Sequence, residues 1–157
     1  MTFKKLSAVT GLVLSAIAIP ASATEPDSRR VKGVETLERI TGTAGNNVVK
    51  SLSDISPELG EWIVDFAYGD VFSRPGVALC TRELATIAAL TALGNAQPQL
   101  KVHIEGALNV GCKPEEIVEI IIQMAVYAGF PSALNGISAA REVFAKRGIK
   151  VVAAPPE

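Results

Sequence analysis

The chain has a single histidine, His103, and only two cysteines, Cys80 and Cys112. With no second histidine and no acid cluster at ligand spacing, a metal site is not expected. The cysteines do not form a CxxC pair, so the usual dithiol redox spacing is missing. Positive charge is not in excess. The whole chain has 15 Lys and Arg against 16 Asp and Glu, and residues 1–23 hold two of the lysines and no acid, leaving 13 against 16, about −3. That balance disfavours a nucleic-acid partner. Beyond residue 23 no apolar run approaches the roughly 20 residues a membrane helix needs. Strand-like alternation and internal repeats are also missing.

What is there begins with "MTFKKLSAVTGLVLSAIAIPASATEPD". Lys4 and Lys5, the apolar run from Leu6 to Ile19 and the small residues Ala21, Ser22 and Ala23 make the pattern of a secretory signal peptide, cleaved after Ala23. The expectation is an exported product, periplasmic or secreted, with no membrane span after processing. Residues 24–30 read as a disordered linker, 31–148 as one domain and 149–157 as a tail containing two prolines.

The periodicity of the domain is helical, so the fold class expected is all-α with about six helices. Val31, Val34, Leu37 and Ile40 mark the first, which stops near Gly42. In "SPELGEWIVDFAYGDVF", Ser56 suits a cap, Pro57 the first helical position, and Leu59, Trp62, Ile63 and Phe66 form a stripe. "TRELATIAALTALG" is apolar on nearly every side and predicts a helix buried all round, ending at Gly94. A fourth helix covers 98–110. A fifth covers 114–128, with Glu115 and Glu116 on its N-terminal dipole and Ile117, Ile120, Ile121 and Met124 inward. The last covers 132–147, with Leu134, Ile137 and Phe144 inward.

The short connection "NAQ" makes the third and fourth helices an antiparallel αα-hairpin. Positions equidistant from its turn lie side by side, and Cys80 and Cys112 average to position 96, inside the turn. A structural disulfide is therefore expected. Two alternatives stand beside it: Cys80 as an activated thiolate near a helix N-terminus, or two inert buried thiols.

His103 falls at the edge of the stripe Leu100, Ile104, Ala107, Leu108, facing inward or into a cleft, as a hydrogen-bonded core residue or as a catalyst. Glu83 is either a carboxylate on the helix dipole or an orienter of His103 from the facing helix. Arg82 is a candidate to bind a substrate carboxylate through its planar fork, or an exposed helix-start residue. Tyr127 lies on the Ile120 and Met124 side, where its phenol needs a buried partner.

The segments "YGDVFSRPG", "TRELATIAALTALG", "QLKVHIEGALNVG" and "EEIVEIIIQMAVYAGFPSALNG" resemble the carboxymuconolactone decarboxylase family, whose other branch holds the alkylhydroperoxidase-like proteins. The resemblance implies an all-α protomer in a homotrimeric or homohexameric ring, with the site between helices near a subunit interface. The family's histidine falls on His103, and the Arg-Glu pair of its core helix on Arg82 and Glu83. The peroxidase branch has a CxxC pair ahead of the histidine, where this chain reads "NAQPQLKVH". The implied activity is thus a cofactor-free decarboxylation of a small carboxylated lactone, leaving a dienolate to be protonated at carbon. Imidazole can supply that proton near neutral pH. Glu83 would hold its tautomer, Arg82 would anchor a carboxylate, and Tyr127 would donate to the lactone oxygen. Other readings are a thiol redox protein using Cys80 and Cys112, and a non-catalytic oligomer that binds a small molecule.

Overall fold

A computed structural model describes residues 28–150. The expected signal peptide and most of the linker and tail lie outside that range. Among the described residues the protein is all helical, with seven α-helices and one π-helical stretch.

Helix α1, Ser28–Thr41, begins inside the expected linker, so residues 28–30 are helical rather than disordered. Gly33, Leu37 and Ile40 recur on one face and are buried. Gly42, with φ 57°, ends α1, and helix α2, Thr43–Ser51, starts at the next residue. Thr41 joins the two: its hydroxyl donates to the Leu37 carbonyl at 2.7 Å and accepts the Gly45 N–H at 3.1 Å. Helix α3, Pro57–Trp62, has proline at its first position as expected, but the Ser56 hydroxyl makes no capping bond.

From Ile63 to Phe72 the helix widens to π geometry, and the Ser73 N–H reaches back five residues to the Tyr68 carbonyl at 3.0 Å. Such stretches are rare and cluster at functional sites. The widening changes which residues face inward. Val64, Tyr68 and Gly69 are buried, while Trp62 and Phe66, expected in the inward stripe, are 64% and 59% exposed. The π stretch packs on α1 with backbones in near contact. A Cβ on Gly33 would stand 2.2 Å from the Val64 carbonyl oxygen, and one on Gly69 would stand 2.6 Å from that of Arg29.

Helix α4, Leu79–Leu93, ends at the left-handed Gly94 and returns as α5, Gln97–Asn109, the expected antiparallel hairpin. Helix α6, Pro114–Ala128, has the bounds the sequence suggests; α7, Phe130–Arg147, starts two residues early. Ile87, Leu100, Ile104, Ile117 and Ile121 from α4, α5 and α6 are fully buried and meet Ala139 and Val143 of α7. Each large aliphatic so placed contributes about 2 kcal/mol. A smaller core of Leu37, Ile40, Val64 and Tyr68 joins α1 to the π stretch. Asn109 ties the two cores by donating to the Ile40 carbonyl at 2.8 Å.

Two burial expectations need correction. Within the single chain α4 is not covered all round, because Thr81, Ala85, Ala89 and Leu93 form an open edge. Leu134, expected inward, is 67% exposed, and the inward residues of α7 are Ala133, Gly136, Ala139, Ala140, Val143 and Phe144. Ile149, assigned to the tail, packs against the main core.

Candidate active site

The α4–α5 hairpin brings the two catalytic candidates together. Glu83 is in the second turn of α4 and wholly buried; His103, on α5, keeps 19% of its side chain exposed. The His103 Nδ1 and Glu83 Oε2 are 2.9 Å apart. With the carboxylate ionised, Nδ1–H donates to Oε2, which fixes the ring and turns Nε2 away from the pair. Gly106, one turn beyond His103, makes room for the carboxylate: a Cβ there would stand 3.1 Å from Glu83 Oε2 and 2.8 Å from Ile40 Cγ2. Glu83 Oε1 has no hydrogen-bond partner among the described residues. The buried carboxylate is therefore held through its one bond to His103, and removal of that bond carries a desolvation cost.

His103 opens onto a cavity of about 390 Å³ walled largely by apolar side chains, among them Leu37, Ile63, Phe72 and Val102. The Phe72 ring centroid lies 6.5 Å from that of His103 and 5.3 Å from that of Tyr68. Thr41, Tyr68, Thr86 and Gln99 supply the other polar groups, and among the described residues no Lys, Arg, Asp or Glu lines the cavity. The Thr41 and Thr86 hydroxyls already donate to carbonyls of their own helices, those of Leu37 and Arg82.

Tyr68 was not singled out from the sequence, yet it is 7% exposed and lines this cavity. An α-helical count through Leu59, Trp62, Ile63 and Phe66 puts it off the inward stripe; the π turn brings it in. Burial first, and the Glu83 carboxylate second, push its phenol up to about 12. A raised folded-state value favours the neutral form, so this stability is complete below pH 10 and is lost as pH rises toward 12. A shift of two units is worth about 2–3 kcal/mol. Urea titrations of the parent protein at pH 8 and pH 11 should show that extra alkaline loss, and Tyr68→Phe should remove most of it. An equal loss in the variant would show that Tyr68 is not its source.

The other site candidates are placed elsewhere. Arg82, next to Glu83 in sequence but a third of a turn round the helix, does not line the cavity. Its guanidinium donates to the Val77 and Arg74 carbonyls, at 3.3 and 3.0 Å, and so braces the turn that enters α4. Tyr127, expected to need a buried partner, is instead 75% exposed and outside the cavity lining. Phe130, which opens α7, is equally exposed, so this corner stands clear of the core. Cys80 and Cys112 meet at bonding distance where the start of α4 faces the end of α5, with Cα atoms 5.3 Å apart.

Comparison with known proteins agrees with this architecture. Over 125 residues, 78% of this chain and 92% of the relative, the sequence is 36% identical to 4-carboxymuconolactone decarboxylase of Acinetobacter baylyi. It is 28% identical over 107 residues to nitrosuccinic acid decarboxylase of Metarhizium robertsii, covering 68% of this chain and 74% of the relative. An uncharacterized 15.0 kDa protein of Paracoccus denitrificans is 31% identical over 99 residues, 62% of this chain and 74% of the relative. Residues 57–142, which include α4, α5 and the His103–Glu83 pair, match the carboxymuconolactone decarboxylase family. The chain belongs to that family, and its function is decarboxylase-like.

Proposed function

We propose that the protein is a cofactor-free carboxy-lyase acting on a small carboxylated lactone, with His103 as the proton donor. The observation that carries this reading is the 2.9 Å contact between His103 Nδ1 and the buried Glu83 carboxylate, at the edge of an apolar cavity. When the C–C bond to the carboxylate breaks, carbon dioxide leaves and the electron pair passes into the conjugated lactone carbonyl as a dienolate. The substrate is thus its own electron sink. Imidazolium Nε2–H then protonates carbon, and the Glu83 carboxylate stabilises the imidazolium until that transfer. An apolar cavity also favours a step in which the localised charge of a carboxylate spreads over a conjugated dienolate as neutral carbon dioxide leaves.

The test is carbon dioxide release together with ultraviolet loss of γ-carboxymuconolactone by the oxidised protein lacking residues 1–23, beside a folded His103 variant. Turnover that depends on His103 supports the reading. Absence of turnover in the parent protein sinks it for this substrate.

The same proposal includes export and a structural Cys80–Cys112 disulfide, which persists in an oxidising compartment. Closing a loop of this size is worth about 3–4 kcal/mol in the chain-entropy model. The double Cys80→Ser and Cys112→Ser variant should lose that much stability in urea while keeping its turnover. Labelling of both thiols by alkylation without reductant would remove the disulfide from the account. Self-association as a homotrimer or homohexamer is also proposed, and the exposed apolar residues Val126, Tyr127, Phe130 and Leu134 support it. A monomer by light scattering would contradict it.

A further inference from the structure

The substrate of a decarboxylase is an anion, and apart from His103 itself the described residues of this cavity offer it no cation. That suits the carboxylate that departs. It leaves no anchor for a carboxylate that stays.

Beyond Phe72 lies a second, more polar cavity of about 420 Å³. Arg39 reaches it from α1 and Arg74 from the turn after the π stretch, and Glu35, Thr36 and Ser73 complete its polar lining. Phe72 lines both cavities, so one aromatic side chain is their common wall. Arg29, Arg30 and Arg147 are engaged with Asp70, Asp65 and Glu105, and Arg82 with two carbonyls, while Arg141 lines a different cavity, on α7. Among the described residues the Arg39 and Arg74 guanidiniums have no ion-pair or hydrogen-bond partner. Glu35 opposes them, leaving one net positive charge among the three charged lining groups. Two guanidinium forks on one cavity are suited to a carboxylate, which accepts paired N–H bonds.

The turn that bears Arg74 is not free to drift. Its carbonyl at Arg74 accepts from Arg82, the neighbour of Glu83 on α4, so one helix braces both the proton pair and the backbone that carries this guanidinium. Arg39, by contrast, lies outside the residues 57–142 that match the family.

We propose that Arg39 and Arg74 bind the carboxylate the substrate keeps, in an anion subsite divided by Phe72 from the cavity where the other carboxylate is lost. The inference rests on the decarboxylase reading and adds the two residues that hold the retained carboxylate.

Adipate and its neutral analogue adipamide, chains of the same length and similar shape that differ in charge, are the probes, with binding measured by calorimetry on the folded protein. Adipate should bind the parent protein more tightly than adipamide. The double variant Arg39→Gln, Arg74→Gln should lose about tenfold or more on adipate while adipamide stays within about twofold. Glu35→Gln should tighten adipate. Unchanged adipate affinity in the double variant, or no adipate binding to the parent, overturns the subsite. The binding assay needs no turnover, which separates this proposal from the one beneath it. Arginine-dependent adipate binding without carbon dioxide release from γ-carboxymuconolactone would sink the lyase reading alone. Turnover with the same KM in the double variant would sink the subsite alone.

Discussion

The His103→Ala protein is expected to release carbon dioxide from γ-carboxymuconolactone about 10²–10⁴-fold more slowly than the parent, the range for loss of a positioned proton donor. Alanine also strips Glu83 of its hydrogen bond inside the core, and an uncompensated buried group costs about 1–3 kcal/mol or more. Loss of turnover could then be loss of fold. His103→Gln separates the two, because its amide can still donate to Glu83 but cannot deliver a proton to carbon. The glutamine variant should keep the melting temperature and lose the turnover. Glu83→Gln keeps the shape and removes the negative charge that faces the ring during proton transfer, so a smaller fall, about tenfold and mostly in kcat, is expected. Parent-like turnover in His103→Gln would remove His103 from the chemistry.

Gly33→Ala should be the most damaging single methyl in the described chain. The new Cβ would stand 2.2 Å from the Val64 carbonyl oxygen, a backbone atom that cannot swing aside. Helix α1 and the π stretch must separate, at about 3 kcal/mol, the upper end of ordinary overpacking. For a chain of this size that is roughly 10 °C in melting temperature. Leu37 and Tyr68 belong to the same contact and also line the His103 cavity, so turnover should fall with stability. The comparison is Gly76→Ala, where a Cβ meets nothing within 4 Å and little change is expected. Equal melting temperatures for the two variants would contradict the close packing of α1 on the π stretch.

Much of this architecture can be read from residues alone. Pro114 at a first helical position and Gly129 after the last periodic residue bound α6 to the residue. The hairpin count places Cys80 opposite Cys112; the same count sets Glu83 level with Asn109, so its contact with His103 stays one of two open readings until the structure shows it. What escapes has physical causes. The segment "TAGNNVVKS" has too few large apolar residues to show a stripe, and α2 owes its start to Gly42 and to the Thr41 hydroxyl that takes the Gly45 N–H. A periodicity of 3.6 presumes α geometry, so it aims Trp62 and Phe66 inward and overlooks Tyr68. Arg82 and Glu83 are adjacent, and no pattern says which of the two reaches the interior. Tyr127 follows Ile120 and Met124 in the stripe of α6, but burial also needs an opposing element. At this corner α7 opens with the exposed Phe130.

The π stretch has a further consequence for how this enzyme can be altered. A helix of five-residue hydrogen-bonded steps stores extra chain within a given length, so its contents can change by deletion as well as by substitution. Removing one residue between Trp62 and Tyr68 would draw the stretch toward α pitch. Tyr68 and Phe72 would then rotate around the helix axis, with every amino acid of the remaining wall unchanged. Cavity shape here is set by chain count as much as by side-chain identity, and an indel, rather than a point mutation, is the smallest edit that redraws it.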